Sequence, residues 1–216
     1  MIERLEAELR DVDPAALDDR GRIAYWLNAY NLSLLGALAE RPRSGRLIRH
    51  RRLFSTATHS VGGRDYSLDV IEHGLLRGNR RPPYGLRRLL RPGDPRLAAA
   101  PGRFDPRIHF ALNCGARSCP PVRVYTETVD SELEEATRGY LAAESDLDRD
   151  RGTLSLPGLI RFYLGDFGGR GGAVEFAAAH LGAEDGAWIA EHASDVRVRF
   201  ARFDWRMEKP AALAAG

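Results

Sequence analysis

The residues best suited to chemistry are gathered in one short segment that holds both cysteines of the chain. Cys114 and Cys119 follow His109 within a few positions. A cysteine acts as a nucleophile when a base converts it to the thiolate, and the base must be held by a third group. A thiol close to an imidazole therefore predicts covalent chemistry at a carbonyl carbon, with Cys119 as nucleophile and His109 as base.

The same segment offers further groups for such a site. The apolar run 108–112 predicts a short buried strand that leads into the cysteine loop, so alternation places His109 and Asn113 on one face. Asn113 and Arg117 can donate hydrogen bonds to an oxyanion, whereas Pro120 removes the backbone donor after Cys119. Cys114 is the alternative nucleophile because the residue after it, Gly115, keeps its N–H.

A buried carboxylate is predicted on a separate helix that begins near Leu68. The helical period places Glu72 in the middle of its apolar face, where a carboxylate needs a partner or a raised pKa. We therefore expect Glu72 to orient His109. His73 lies at the border of that face, one turn before Arg77, and is the alternative base.

Other chemistries fit the same residues. Zinc could be held by Cys114, Cys119 and His109, with His73 or Glu72 as the fourth ligand. The thiols could also be inert core groups, or form a disulfide on oxidation. In a reducing cytoplasm they are expected to be free thiols.

Composition predicts one globular domain over residues 1–216. The chain is 44% hydrophobic and 29% charged with a net charge of +2, which is unlike a disordered protein. No apolar run approaches the roughly 20 residues that cross a bilayer, so no membrane span is expected. The charged N-terminus lacks the apolar stretch of a secretory signal, and this predicts a cytoplasmic location.

The pattern of elements predicts a helix-rich α+β fold with a small sheet, in a papain-like arrangement. A helix over residues 22–40 is apolar on several sides, and Asn28 and Asn31 lie on its flank, where they either tie down backbone or serve the site. A hairpin is predicted over residues 58–68. The other predicted elements are helices over 126–143, 157–166, 173–181 and 185–192 and strands over 152–156 and 196–200.

Two arginine clusters raise the question of nucleic-acid binding. One occupies residues 41–52, and the other consists of Arg77, Arg80, Arg81, Arg87, Arg88 and Arg91. Single-stranded nucleic acid requires aromatic side chains among the basic ones, and the first run has none before Phe54. We therefore expect solvated loops and no nucleic-acid partner.

Several runs resemble the domain of unknown function 547 family, from about residue 10 to 206. The most specific is 105–121, around the two cysteines, and the others are 25–31, 66–77, 161–168 and 203–205. The resemblance implies a single domain and makes the pair Glu72-His73 and the segment from His109 to Cys119 family signatures. It implies no activity, because none is established for the family.

Two functions are predicted from these observations. The first is a papain-like thiol hydrolase or acyltransferase acting on an amide, peptide or ester bond of a peptide or small-molecule substrate, without a cofactor. The second is a non-catalytic module that binds a peptide or protein, with structural cysteines.

Overall fold

The longest element of the fold is a central helix, α1 (Asp19–Ala39). The computed structural model describes residues 7–39 and 52–207. Trp26, Leu27 and Leu34 of α1 are fully buried and Tyr30 nearly so. Because apolar side chains occupy most of its circumference, the helix is packed on several sides, which confirms the prediction from its sequence.

The remaining elements confirm a helix-rich α+β fold. The other α-helices are α2 (Arg52–Thr56), α3 (Val129–Glu144), α4 (Gly158–Phe162), α5 (Gly169–His180) and α6 (Ala183–Glu191). The strands are β1 (Thr58–Val61), β2 (Arg64–Ser67), β3 (Asp146–Asp148), β4 (Thr153–Leu156) and β5 (Arg197–Phe200). A papain-like arrangement is not confirmed.

The strands form two small sheets. β1 and β2 make the predicted antiparallel hairpin, and its turn is Gly62-Gly63, where both residues have positive φ angles of 58° and 70°. Glycine adopts that conformation without steric cost. The other sheet has the order β3-β4-β5, in which β3 runs antiparallel and β5 parallel to β4.

Two hydrophobic clusters meet at a short 3-10 helix, Pro106–Phe110. Ile108 belongs to the cluster around α1, whereas Phe110 belongs to the cluster built by α5, β4 and their neighbours. Both side chains are 1% exposed. His109 lies between them in sequence and is thereby fixed at the junction of the two clusters.

Two local predictions were wrong. The expected strand over 108–112 is the 3-10 helix just described, so the alternation argument for His109 and Asn113 does not hold. The helix that carries Glu72 begins at Leu68 as predicted, and its segment Val70–Leu76 has π-helical geometry. The helix expected over 157–166 is interrupted and becomes α4 followed by a 3-10 helix, Leu164–Phe167.

Two expectations concern other parts of the chain. The first arginine run lies outside the described residues, apart from Arg52. Over residues 7–39 and 52–207, no helix has both the length and the apolar character that crossing a membrane requires.

Asn28 and Asn31 tie backbone segments to α1. The amide of Asn31 donates to the Ala111 carbonyl at 3.0 Å and accepts from the Asn113 N–H at 3.1 Å. Asn28 makes the same pair of bonds with the backbone of Tyr125, at 2.7 and 2.9 Å. Each asparagine side chain therefore makes the pair of backbone hydrogen bonds that a neighbouring strand would otherwise make. The two asparagines bind the chain on either side of the cysteine loop, before Cys114 and after Cys119.

We expect Asn31→Ala to lower the free energy of unfolding by about 2 kcal/mol, because it leaves a buried donor and a buried acceptor without partners. Urea denaturation measures this change. The exposed substitution Glu127→Ala is the control and is expected within about 0.5 kcal/mol of the unchanged protein. A stability of Asn31→Ala equal to that of the control would contradict the proposed tie.

Candidate functional site

The centre of the candidate site is the carboxylate of Asp166, on the 3-10 helix Leu164–Phe167. Its Oδ2 accepts from His109 Nε2 at 2.9 Å and from Arg77 Nε at 2.7 Å, and its Oδ1 accepts from Arg80 Nη1 at 2.8 Å. Burial alone would raise the pKa of Asp166. The three donors outweigh burial and hold this pKa well below its usual range.

His109 is held on both its edge and its face. Asp105 caps the 3-10 helix Pro106–Phe110 by accepting from a backbone N–H, and Pro at the first helical position suits this start. The imidazole stacks on the Tyr163 ring, with centroids 3.9 Å apart and planes 20° apart. Its side chain is 1% exposed. The ring orientation is therefore fixed by packing as well as by the bond to Asp166.

The protonation of His109 follows from its surroundings. Burial lowers its pKa, and the hydrogen bond to Asp166 offsets part of that effect. The ring is therefore neutral at pH 7, with its proton on Nε2, where it donates to the carboxylate. Within the described chain Nδ1 has no hydrogen-bond partner, so it is a lone-pair acceptor and suited to take a proton.

Glu72 lies beside this pair but contacts tyrosines. Its Oε1 accepts from Tyr163 Oη at 2.6 Å, and its Oε2 accepts from Tyr30 Oη at 3.4 Å. The π-helix Val70–Leu76 presents it as a buried residue, as the sequence predicts, with 8% exposure. Burial and the neighbouring carboxylate raise the pKa of Tyr163 well above its usual range. Tyr163 thus stacks on His109 while bonding to Glu72.

His73 has both ring nitrogens occupied. Nδ1 lies 2.9 Å from Arg77 Nη1, and Nε2 lies 3.0 Å from Tyr84 Oη. Tyr84 in turn donates to Asp69. Burial first and Arg77 second lower the pKa of His73 to about 3. A neutral histidine with two partners holds the network together and has no nitrogen available for proton transfer.

Phe104 and Arg80 lie near His109. The Phe104 ring centroid is 6.1 Å from that of His109. The Arg80 guanidinium lies over the Phe104 ring, 4.2 Å from its centroid. The Arg80 side chain is 44% exposed. Because His109 is buried, a substrate reaches it only if covering side chains move, and Arg80 is the exposed one of these two neighbours.

Cys114 and Cys119 are joined in a disulfide, with Cα atoms 6.0 Å apart. The Cys114 N–H donates to the Cys119 sulfur at 3.0 Å. Asn113 fixes the loop from within, since its Nδ2 donates to the Pro120 carbonyl at 2.6 Å and its Oδ1 accepts from the Gly115 N–H. The expectation of free thiols was wrong, and in this state neither sulfur is a nucleophile.

The cysteine loop is tied to the C-terminal segment. The backbone N–H of Arg117 donates to the Arg206 carbonyl at 2.9 Å, and Ser118 Oγ accepts from the Asp204 N–H, also at 2.9 Å. Among the described residues none of the loop's hydrogen bonds leads to His109. The backbone N–H of Arg117 is therefore used to fix the loop on the segment around Arg206.

The structure brings four of the predicted site residues together, but a different residue orients His109. Hydrogen bonds and ring contacts connect Glu72, His73, Arg77 and His109 through shared neighbours. The group that orients His109 is Asp166 and not Glu72. Among residues 7–39 and 52–207, no group of three or more His, Cys, Asp or Glu side chains is arranged to hold a metal ion.

Sequence reasoning does not identify Tyr163 and Asp166 as candidate site residues. Both lie in the run 161–168, whose resemblance to the family predicts no role for either residue. The predicted single helix over 157–166 gave no reason to bring Asp166 to His109. A buried aromatic followed by an acid within one turn was the available signal.

The disulfide predicts that purified protein kept free of reductant has no thiols reactive toward Ellman's reagent, even after denaturation. Replacing both cysteines by serine should lower the free energy of unfolding by about 2 kcal/mol, as expected for a short cross-linked loop. Two titratable thiols in the oxidant-exposed, denatured protein would contradict the assignment.

The lowered histidine pKa values predict that stability falls in acid. His59 and His73 have pKa values lowered to about 4 and about 3 from 6.5, chiefly by burial. Their contribution is fully present above pH 6.5 and is lost as the pH falls toward the folded values, because the unfolded chain binds the protons first. From pH 7 to 4.5 the free energy of unfolding should drop by on the order of 5 kcal/mol, roughly 2.5 kcal/mol for each histidine.

Urea denaturation at several pH values measures this drop. His73→Gln should show a flatter pH dependence, because glutamine does not titrate. A stability that is constant between pH 7 and 4.5 would contradict the buried neutral histidines.

Comparison with known proteins gives a family and nothing more specific. No curated protein and no solved structure matches the chain. One family model matches residues 14–141, which include Glu72, His73, Arg77, His109 and both cysteines but not Asp166. Because this match covers more than half of the sequence, the chain belongs to the family described as Protein of unknown function, DUF547.

Proposed function

We propose that the protein is a hydrolase or acyltransferase acting on an amide, peptide or ester bond, with His109 as the general base. The observation that carries the proposal is the pair His109–Asp166. One ring nitrogen is fixed to a buried carboxylate, and the other has no partner among the described residues. This arrangement sets the tautomer and leaves Nδ1 ready to accept a proton.

The chemistry follows from that free nitrogen. Nδ1 of His109 takes a proton from water or an acceptor alcohol as the oxygen bonds to the substrate's carbonyl carbon. The imidazolium is stabilised by Asp166, whose charge is secured by Arg77 and Arg80. The proton then passes to the leaving nitrogen or oxygen as the carbonyl–heteroatom bond breaks, which restores neutral His109.

The thiol-dependent form of the proposal requires one further event. Cys119 serves as the nucleophile only after a dithiol has reduced its bond to Cys114, with oxidation of that dithiol. Activity that appears only with reductant would support this form. Activity that is equal with and without reductant supports attack by water.

A non-catalytic binding module is the second candidate, and the disulfide favours it. Both cysteines are structural in that case, and the buried network stabilises the fold. The disulfide also bears on location: disulfides persist in oxidising compartments, so it supports such a compartment and not the cytoplasm that the sequence predicts.

We expect His109→Gln to lower kcat by about 10²- to 10⁴-fold, because general base catalysis contributes that much. The assay uses p-nitrophenyl acetate and a set of aminoacyl p-nitroanilides. His192→Gln is the control and should retain full activity. Asp166→Asn should also reduce kcat and move the acidic limb of the pH profile to lower pH, since the carboxylate raises the pKa of His109.

A melting curve for each variant separates loss of the base from loss of the fold. Folded His109→Gln with unchanged kcat would remove His109 from catalysis. Absence of turnover of every probe by the unchanged protein, with and without reductant, would favour the binding module.

A further inference from the structure

A loop of residues 79–90, here called the arginine loop, projects from the end of the π-helix. Its ends are joined by Asn79, whose amide donates to the Leu90 carbonyl at 3.0 Å and accepts from the Leu90 N–H at 3.3 Å. Leu90 is 1% exposed and packs against Gly74, where a Cβ would lie 3.0 Å from its side chain. The base of the loop is therefore closed and anchored in the core.

Contacts on one side also fix the middle of the loop. Pro82 is buried, and its carbonyl accepts from the Gly85 N–H at 3.0 Å to form a turn. Tyr84 bonds to His73 and Asp69 of the neighbouring helix. Because Pro82 and Tyr84 contact the rest of the protein, the remaining side chains of the loop face solvent in a fixed arrangement.

The outward side chains are apolar and cationic. Leu86 is 90% exposed and Leu89 is 39% exposed. Arg81, Arg87 and Arg88 are exposed beside them. The sequence has no Asp or Glu between positions 78 and 91. Arg87 and Arg88 have no ion-pair partner in the part of the chain that the structure describes.

We propose that the arginine loop docks the protein on the surface of an anionic phospholipid bilayer. Projecting leucines flanked by guanidinium groups match such a surface, because apolar side chains enter the boundary of headgroups and acyl chains while arginines bind phosphates. An acidic protein would satisfy the arginines but would need a pocket for Leu86, whereas a bilayer accepts a projecting side chain without one. The proposal does not depend on the catalytic one.

Sedimentation with lipid vesicles tests the docking. The intact chain is mixed with vesicles of phosphatidylcholine containing about 30 mol % phosphatidylserine, and in parallel with vesicles of phosphatidylcholine alone. We expect binding to the anionic vesicles only, weakened by added salt because exposed charges are screened.

Two variants separate the apolar and cationic contributions. Leu86→Ser should weaken vesicle binding by about tenfold, since it removes one inserted side chain. The double variant Arg87→Gln/Arg88→Gln should weaken it by about twenty-five-fold, at roughly fivefold for each arginine. Val124→Ser and Arg199→Gln change exposed positions elsewhere and should bind like the unchanged protein. All five positions are on the surface, so melting temperatures should be unchanged.

Three results would overturn the proposal. The first is no binding to the anionic vesicles. The second is unchanged binding by Leu86→Ser, which would leave only charge attraction without insertion. The third is binding to polyglutamate but not to vesicles, which would assign the loop to an acidic polypeptide.

Discussion

The carboxylate of Asp166 is the group on which the candidate site depends. It is almost fully buried, and a buried charge is tolerated only when donors surround it. Its three donors come from the C-cap of the π-helix, the segment after it and the 3-10 helix of His109. Removing the carboxylate would leave Arg77 as an unpaired buried cation, so the same interaction that orients His109 also holds three segments together.

The two cysteines and the two α1 asparagines serve a different purpose. Asn28 and Asn31 replace missing backbone partners at both ends of the cysteine segment, and the disulfide closes the loop between those ends. This segment has little regular structure, so side-chain hydrogen bonds and the disulfide fix its backbone, as the hydrogen bonds of a sheet would otherwise do. The arrangement keeps the 3-10 helix of His109 in a constant position.

How far the sequence predicts the structure depends on whether a signal is local. The burial of Glu72 follows from the period of its helix, and the hairpin follows from Gly62-Gly63. The apolar run 108–112 was assigned to a strand because a short apolar run does not distinguish a strand from a buried helical turn. Asp105-Pro106 before it is an N-cap followed by proline, which was the sign of a helix start.

The partner of His109 lies far from it in the chain, and no local pattern joins Asp166 to it. Nor does the spacing of two cysteines decide between thiols, a metal site and a disulfide, since all three depend on geometry and redox conditions.

The protonation state of His109 tests the proposed general base most directly. Long-range ¹H–¹⁵N NMR correlation of the histidine rings reports this state. At pH 7 we predict a neutral His109 ring with its proton on Nε2 and an unprotonated Nδ1. An imidazolium at pH 7 would contradict the proposed base, because Nδ1 would already hold a proton. A ring protonated on Nδ1 alone would contradict the hydrogen bond from His109 to Asp166 as well.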